Sequence, residues 1–113
     1  VQGTQQWTPT GLVVRRGDAM TITATGEVRL STDAADLASP TGSRSGKMAA
    51  NAPLPNVPAG ALIGRIGNSA PFVVGSQRQF AAPAAGQLFL GINDSHFPDN
   101  QGSFQVEIQR GRR

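Results

Sequence analysis

Cysteine is absent from the 113-residue chain. Its absence excludes disulfides, thiolate metal sites and cysteine nucleophiles. It leaves the compartment open, because a secreted β-domain can do without disulfides. Histidine occurs once, at His96, which is thin support for base-assisted nucleophilic catalysis. Charged residues make up only 15% of the chain. No apolar run reaches the ~20 residues that a membrane-spanning helix needs, so membrane insertion is not expected. Candidate helical runs are equally sparse. The best helical stretch, Asp33-Ala34-Ala35-Asp36-Leu37, is long enough for one turn only.

The net charge of +3 comes from scattered basic residues, apart from the closing Gln109-Arg110-Gly111-Arg112-Arg113. No platform of interleaved aromatic and basic residues stands out, so nucleic acid is not an expected partner. The last arginines read as a solvated tail. The chain starts at Val1 without a signal-peptide pattern. That start is compatible with a mature secreted or cell-surface bacterial protein, or with a module of a larger one.

Glycine and proline are abundant. Together they supply 22 of the 113 residues (14 Gly and 8 Pro), against an ordinary share of roughly 12%. Such punctuation favours many short strands over helices. Ala19 to Thr25 alternates, with Met20, Ile22 and Ala24 on one face and Thr21, Thr23 and Thr25 on the other. Gly26 bends this strand and Glu27 to Leu30 continues it. Leu88, Leu90 and Ile92 share one face of a later run, and Phe104, Val106 and Ile108 one face of the last. Between Ser31 and Pro58 no period is visible, and a connection of that length in a small domain is usually functional or mobile. The length predicts one domain, residues 1–113. The pattern of about eight short strands predicts an all-β fold, a jelly-roll β-sandwich.

The densest chemistry lies between the last two strands, in Asn93-Asp94-Ser95-His96-Phe97-Pro98-Asp99-Asn100-Gln101-Gly102-Ser103. Two carboxylates and two amides fall within the eight residues from Asn93 to Asn100. Hard oxygen donors in a loop are what Ca²⁺ requires, since it takes six to eight oxygens at about 2.3–2.6 Å. Without an ion, the same residues would form a turn held by Asx hydrogen bonds. Asp94 and Asp99 are also a formal glycosidase pair, but a small sandwich offers little cleft to enclose a glycosidic bond, and an enzyme is not expected.

An ordered series of segments resembles the LecA-like, calcium-dependent galactophilic lectins. The series is Gly17-Asp18 with its alternating strand, Gly60-Ala61-Leu62-Ile63-Gly64-Arg65-Ile66-Gly67, Phe72-Val73-Val74-Gly75, and Asn93-Asp94 through Asp99-Asn100-Gln101-Gly102-Ser103-Phe104. The resemblance runs from about Gly17 to Ile108 and implies a galactose-binding-domain-like jelly roll. It implies one Ca²⁺ through which a sugar's vicinal hydroxyls are held, with galactosides as the expected partner. Asp94 matches the family's side-chain ligand after the penultimate strand. Asp99 and Asn100 match its Asn-Asn pair, with a carboxylate in the first place. Phe97 or Pro98 would donate the mid-loop carbonyl, and Leu30 a second carbonyl from the strand after Gly26.

The family reaches the sugar's exocyclic hydroxyl with a His and a Gln from its middle loop. The matching stretch here, Ser43 to Asn56, has neither, and Arg44, Lys47 and Asn51 are its substantial polar residues. The implied sugar contacts are therefore Asp94 and Asn100, with His96, Arg44 and Asn51 as further candidates. Modest single-site affinity would call for a homo-oligomer or tethering to a parent enzyme. The competing reading is a structural or protein-interaction sandwich in which calcium only stiffens the loop. His96 is otherwise an exposed loop residue, and Phe97 either faces a sugar or packs beneath the loop. Trp7 is expected in the core, Arg65 in a structural or rim position, and Gly64 and Gly67 at bends or close strand packing.

Overall fold

The computed structural model describes residues 7–30, 37–44, 46, 48, 52–54, 56–94 and 101–111. They form nine strands: β1 (Trp7–Val14), β2 (Ala19–Arg29), β3 (Leu37–Ser39), β4 (Gly42–Ser43), β5 (Leu62–Ile66), β6 (Phe72–Val73), β7 (Gln77–Ala81), β8 (Gly86–Ile92) and β9 (Gln101–Gly111). No helix occurs among the described residues. One sheet has the order β1-β8-β5-β6. In the other, β9 pairs with β2 along its whole length, from Ala19↔Gly111 to Arg29↔Gln101. β7 takes the first half of β2's opposite edge, β3 takes its end, and β4 follows β3. Every pairing is antiparallel, and most neighbours are distant in sequence, as in a jelly-roll sandwich.

The predicted alternation places the core. Met20, Ile22, Ala24 and Val28 of β2 face Leu62 and Ile66 of β5 and Leu88, Leu90 and Ile92 of β8, all at most 4% exposed. Phe104 of β9 is the largest side chain sealed between the sheets, and Val106 and Ile108 pack beside it. The outward Thr and Gln rows of β2 and β9 stay half-buried or exposed, which is the signature of a sheet with one wet face.

Two glycines let β2 and β9 run close while bending. Gly26 (φ +110°) and Gly102 (φ +92°) lie on facing segments, and a Cβ on Gly102 would come 2.6 Å from the Glu27 carbonyl oxygen. Only glycine tolerates both that φ and that approach. Gly64 has a different reason: a Cβ there would stand 2.9 Å from the Phe72 ring, which is the close packing that the sequence suggested.

Trp7 departs from expectation. It opens β1 half-buried, with the Arg65 guanidinium 4.8 Å from its ring centroid, and Phe89 stacks on the same guanidinium at 5.1 Å. The register sets Trp7 beside Gly91, Gly91 beside Ile63, and Phe89 beside Arg65. This cluster occupies the face of the sheet turned away from Leu88, Leu90 and Ile92. The tryptophan therefore covers the outside of the first sheet rather than joining the inner core.

Candidate functional site

β8 ends where its buried alternation stops. Asp94 N–H donates to the Ile92 carbonyl at 2.9 Å, a bond spanning two residues that makes a γ-turn centred on Asn93. Non-glycine residues with positive φ are absent among the described residues, so the turn is the common inverse form found at strand ends. It redirects the chain and separates the tasks of two neighbouring polar side chains.

Asn93 turns inward and is fully buried. Its Oδ1 accepts from Leu54 N–H at 2.9 Å, and its Nδ2 donates to the carbonyls of Leu54 at 2.8 Å and Val57 at 3.0 Å, with that of Pro58 at 3.4 Å. Its backbone closes the same junction: Asn93 N–H donates to Ala61 O at 2.9 Å, and Gly60 N–H donates to Asn93 O at 2.8 Å. The backbone at Leu54, Val57 and Pro58 is thus bracketed by one amide side chain, which adds to the backbone bonds at Ala59 and Gly60. Sequence reading counted Asn93 among the loop's oxygen donors and missed this role. The available signal was a lone Asn beside three alternating buried residues, facing a chain segment with no ladder of its own.

Asp94, the next residue, is 8% exposed. A carboxylate so enclosed must be compensated by a partner or a cation. Leu30 lies at the same end of the sandwich. It follows β2 directly and buries its side chain to 5% exposure. A Cβ on Gly60 (φ +86°) would stand 3.1 Å from a Leu30 methyl and 2.4 Å from Ala38 Cβ. Gly60 therefore links the Leu30 strand end to the Asn93 turn. With its side chain in the core, Leu30 presents only backbone polar groups at this end of the sandwich.

Arg44 follows β4 and donates its backbone N–H to Leu37 O at 3.0 Å. Its guanidinium pairs with Glu27, and the two side chains are 60% and 45% exposed. The structure thus brings Arg44 to β2, near the strand end that leads to Leu30. Asn51, His96, Phe97, Pro98, Asp99 and Asn100 lie outside the described residues. Among the described residues no three His, Cys, Asp or Glu side chains gather. What the described residues present is one nearly buried carboxylate near a strand end, a hard oxygen donor of the type Ca²⁺ takes.

Comparison with known proteins agrees with the fold. A family model described as PA-IL-like protein matches residues 3–113. Lectin A of Photorhabdus laumondii is 31% identical over 105 residues, covering 88% of this chain and 78% of the relative. Among solved structures, the N-terminal domain of EclA, a PllA-like lectin, superposes with a TM-score of 0.81 at 29% identity, covering 98% of this chain and 92% of that one.

Proposed function

The chain belongs to the PA-IL-like protein family, and from that premise, with relatives that are carbohydrate-binding lectins rather than enzymes, we infer that it binds sugar through Ca²⁺ at the Asp94 end of the sandwich. The observation that carries this reading is the enclosed Asp94 carboxylate, set by the γ-turn at Asn93 close to the strand end at Leu30. Asp94, Asp99 and Asn100 would supply side-chain oxygens, with carbonyls from Leu30 and from Phe97 or Pro98. Calcium, when bound, supplies positive charge and coordination positions that a vicinal diol can fill in place of water.

The chain's own residues do the rest. Asp94 accepts a hydrogen bond from a sugar hydroxyl, and Asn100 offers both a donor and an acceptor. Asn93 keeps the backbone at Leu54 and Val57 in place beside the Asp94 turn. The expected ligands are galactoside-type sugars bound through vicinal hydroxyls, with His96, Arg44 and Asn51 as further contacts. Single-site dissociation constants on the order of 10 μM–1 mM follow for so shallow a site. Useful avidity then comes from a homo-oligomer or from tethering to a parent enzyme. Residues 1–113 act as one domain of a secreted or cell-surface protein.

A glycan array probed in millimolar Ca²⁺ and again in EDTA tests the reading. Galactoside signal that EDTA erases is the expected result. Signal that survives EDTA, or none in either buffer, removes the support for calcium-mediated sugar binding.

A further inference from the structure

Arg65 stands alone as a charge in its sheet. The four strands β1, β8, β5 and β6 hold no other ionisable side chain. Its guanidinium carbon lies 4.8 Å from the Trp7 ring centroid and 5.1 Å from that of Phe89. All three residues are half-buried. The Arg65 Nε is sealed from solvent and has no hydrogen-bond partner, whereas the two terminal nitrogens are not sealed in this way. Among the described residues no carboxylate forms an ion pair with it. The two rings attract the cation, but they supply no oxygen acceptor for its N–H groups. A guanidinium braced by two rings, with its terminal fork open and no carboxylate of its own, is set to receive an anion from outside.

We propose that Trp7, Arg65 and Phe89 form a second binding site, independent of calcium, for the carboxylate of an acidic sugar. The two oxygens of a planar carboxylate match two parallel guanidinium N–H groups. The exposed parts of the Trp7 and Phe89 rings border that contact and offer apolar surface to the C–H groups of a pyranose. A carboxylate on a peptide would satisfy the fork equally. The relatives of the chain are lectins, however, and an acidic sugar uses both the charge and the rings. The cluster is separate from the Asp94 turn. Phe89 lies three residues before Ile92, the last residue of β8, which sets it about 10 Å back along the strand.

Trp7 is the chain's one tryptophan, so its fluorescence reads the cluster directly. The full chain is titrated in EDTA with methyl α-D-galacturonide, methyl α-D-galactoside, sodium acetate and a Glu-rich peptide. A saturable change with the galacturonide, at about tenfold higher affinity than with the galactoside or acetate, is expected. Arg65→Gln is expected to erase that preference. Arg65→Lys, which keeps the charge and loses the fork, is expected to retain only part of it. Acetate binding as tightly as the galacturonide overturns the sugar assignment. Tighter binding of the peptide gives the face to an acidic protein partner and overturns it too. No saturable change with the galacturonide makes the cluster a structural cover and overturns the site. These comparisons are made on the native chain, so a poorly folded variant does not rescue the proposal. Because EDTA removes calcium, the outcome stands apart from the reading of Asp94.

Discussion

Replacing Asn93 is the perturbation whose size the structure defines best. The side chain is fully buried and makes three hydrogen bonds between 2.8 and 3.0 Å, with a fourth, longer contact at 3.4 Å. Each normal bond is worth about 1 kcal/mol net, and a buried group left without its partner costs ~1–3 kcal/mol. Asn93→Ala removes all of them and orphans the N–H and C=O of Leu54. Those groups are only partly buried, so water recovers some of the loss. About 3 kcal/mol is expected, against a total stability on the order of 5–15 kcal/mol. With an m-value of ~1–3 kcal/mol/M, the urea midpoint should fall by roughly 1–3 M.

Asn93→Asp makes the sharper variant, because it keeps the shape. It preserves the acceptor facing Leu54 N–H and sets carboxylate oxygen against the carbonyls of Leu54, Val57 and Pro58. It should therefore be no more stable than Asn93→Ala. A urea midpoint for Asn93→Asp within about 0.3 M of the native value would refute the hydrogen-bond assignment on which this reasoning stands.

Four further outcomes follow from the same structure. Asp94→Ala should abolish both the calcium-dependent rise in melting temperature and sugar binding, measured by thermal scanning and calorimetry. Gly102→Ala forces a Cβ toward the Glu27 carbonyl at positive φ and should cost ~1–3 kcal/mol in urea denaturation. Phe104→Ala empties the middle of the core and should cost ~3–5 kcal/mol by the same assay. Arg44→Ala breaks an ion pair that is largely in solvent, so its effect on stability should stay below ~1 kcal/mol; a sugar dissociation constant raised tenfold by that variant would instead give Arg44 a ligand contact.

The strands that build the core were legible because each has one wet face. β2, β8 and β9 alternate cleanly, and Met20, Ile22, Leu88, Leu90, Ile92 and Phe104 lie where the period put them. β3 and β4, at three and two residues, are too short to carry a period, and the middle of the chain read as structureless for that reason. The order of segment 52–60 was invisible for another reason. It depends on Asn93, 39 positions from Leu54, and a side chain bonded to distant backbone leaves no local pattern.

Trp7 was misplaced because β1 shifts register between Pro9 and Val13, which breaks the alternation that would have assigned its face. At the candidate site, Asp94 stands out in the sequence by its chemistry and position after the strand, and the structure buries it to 8% exposure. The bracing role of its neighbour Asn93 was not legible, because Asn serves equally well as loop ligand and as buried bracket.

The central claim is that sugar is held through calcium at Asp94. Calorimetric titration of methyl α-D-galactoside into the native chain and into Asp94→Asn, each in millimolar Ca²⁺ and in EDTA, tests it most directly. Binding only by the native chain, and only with calcium, is the predicted result. Binding that persists in EDTA or in Asp94→Asn at the native affinity would contradict the account.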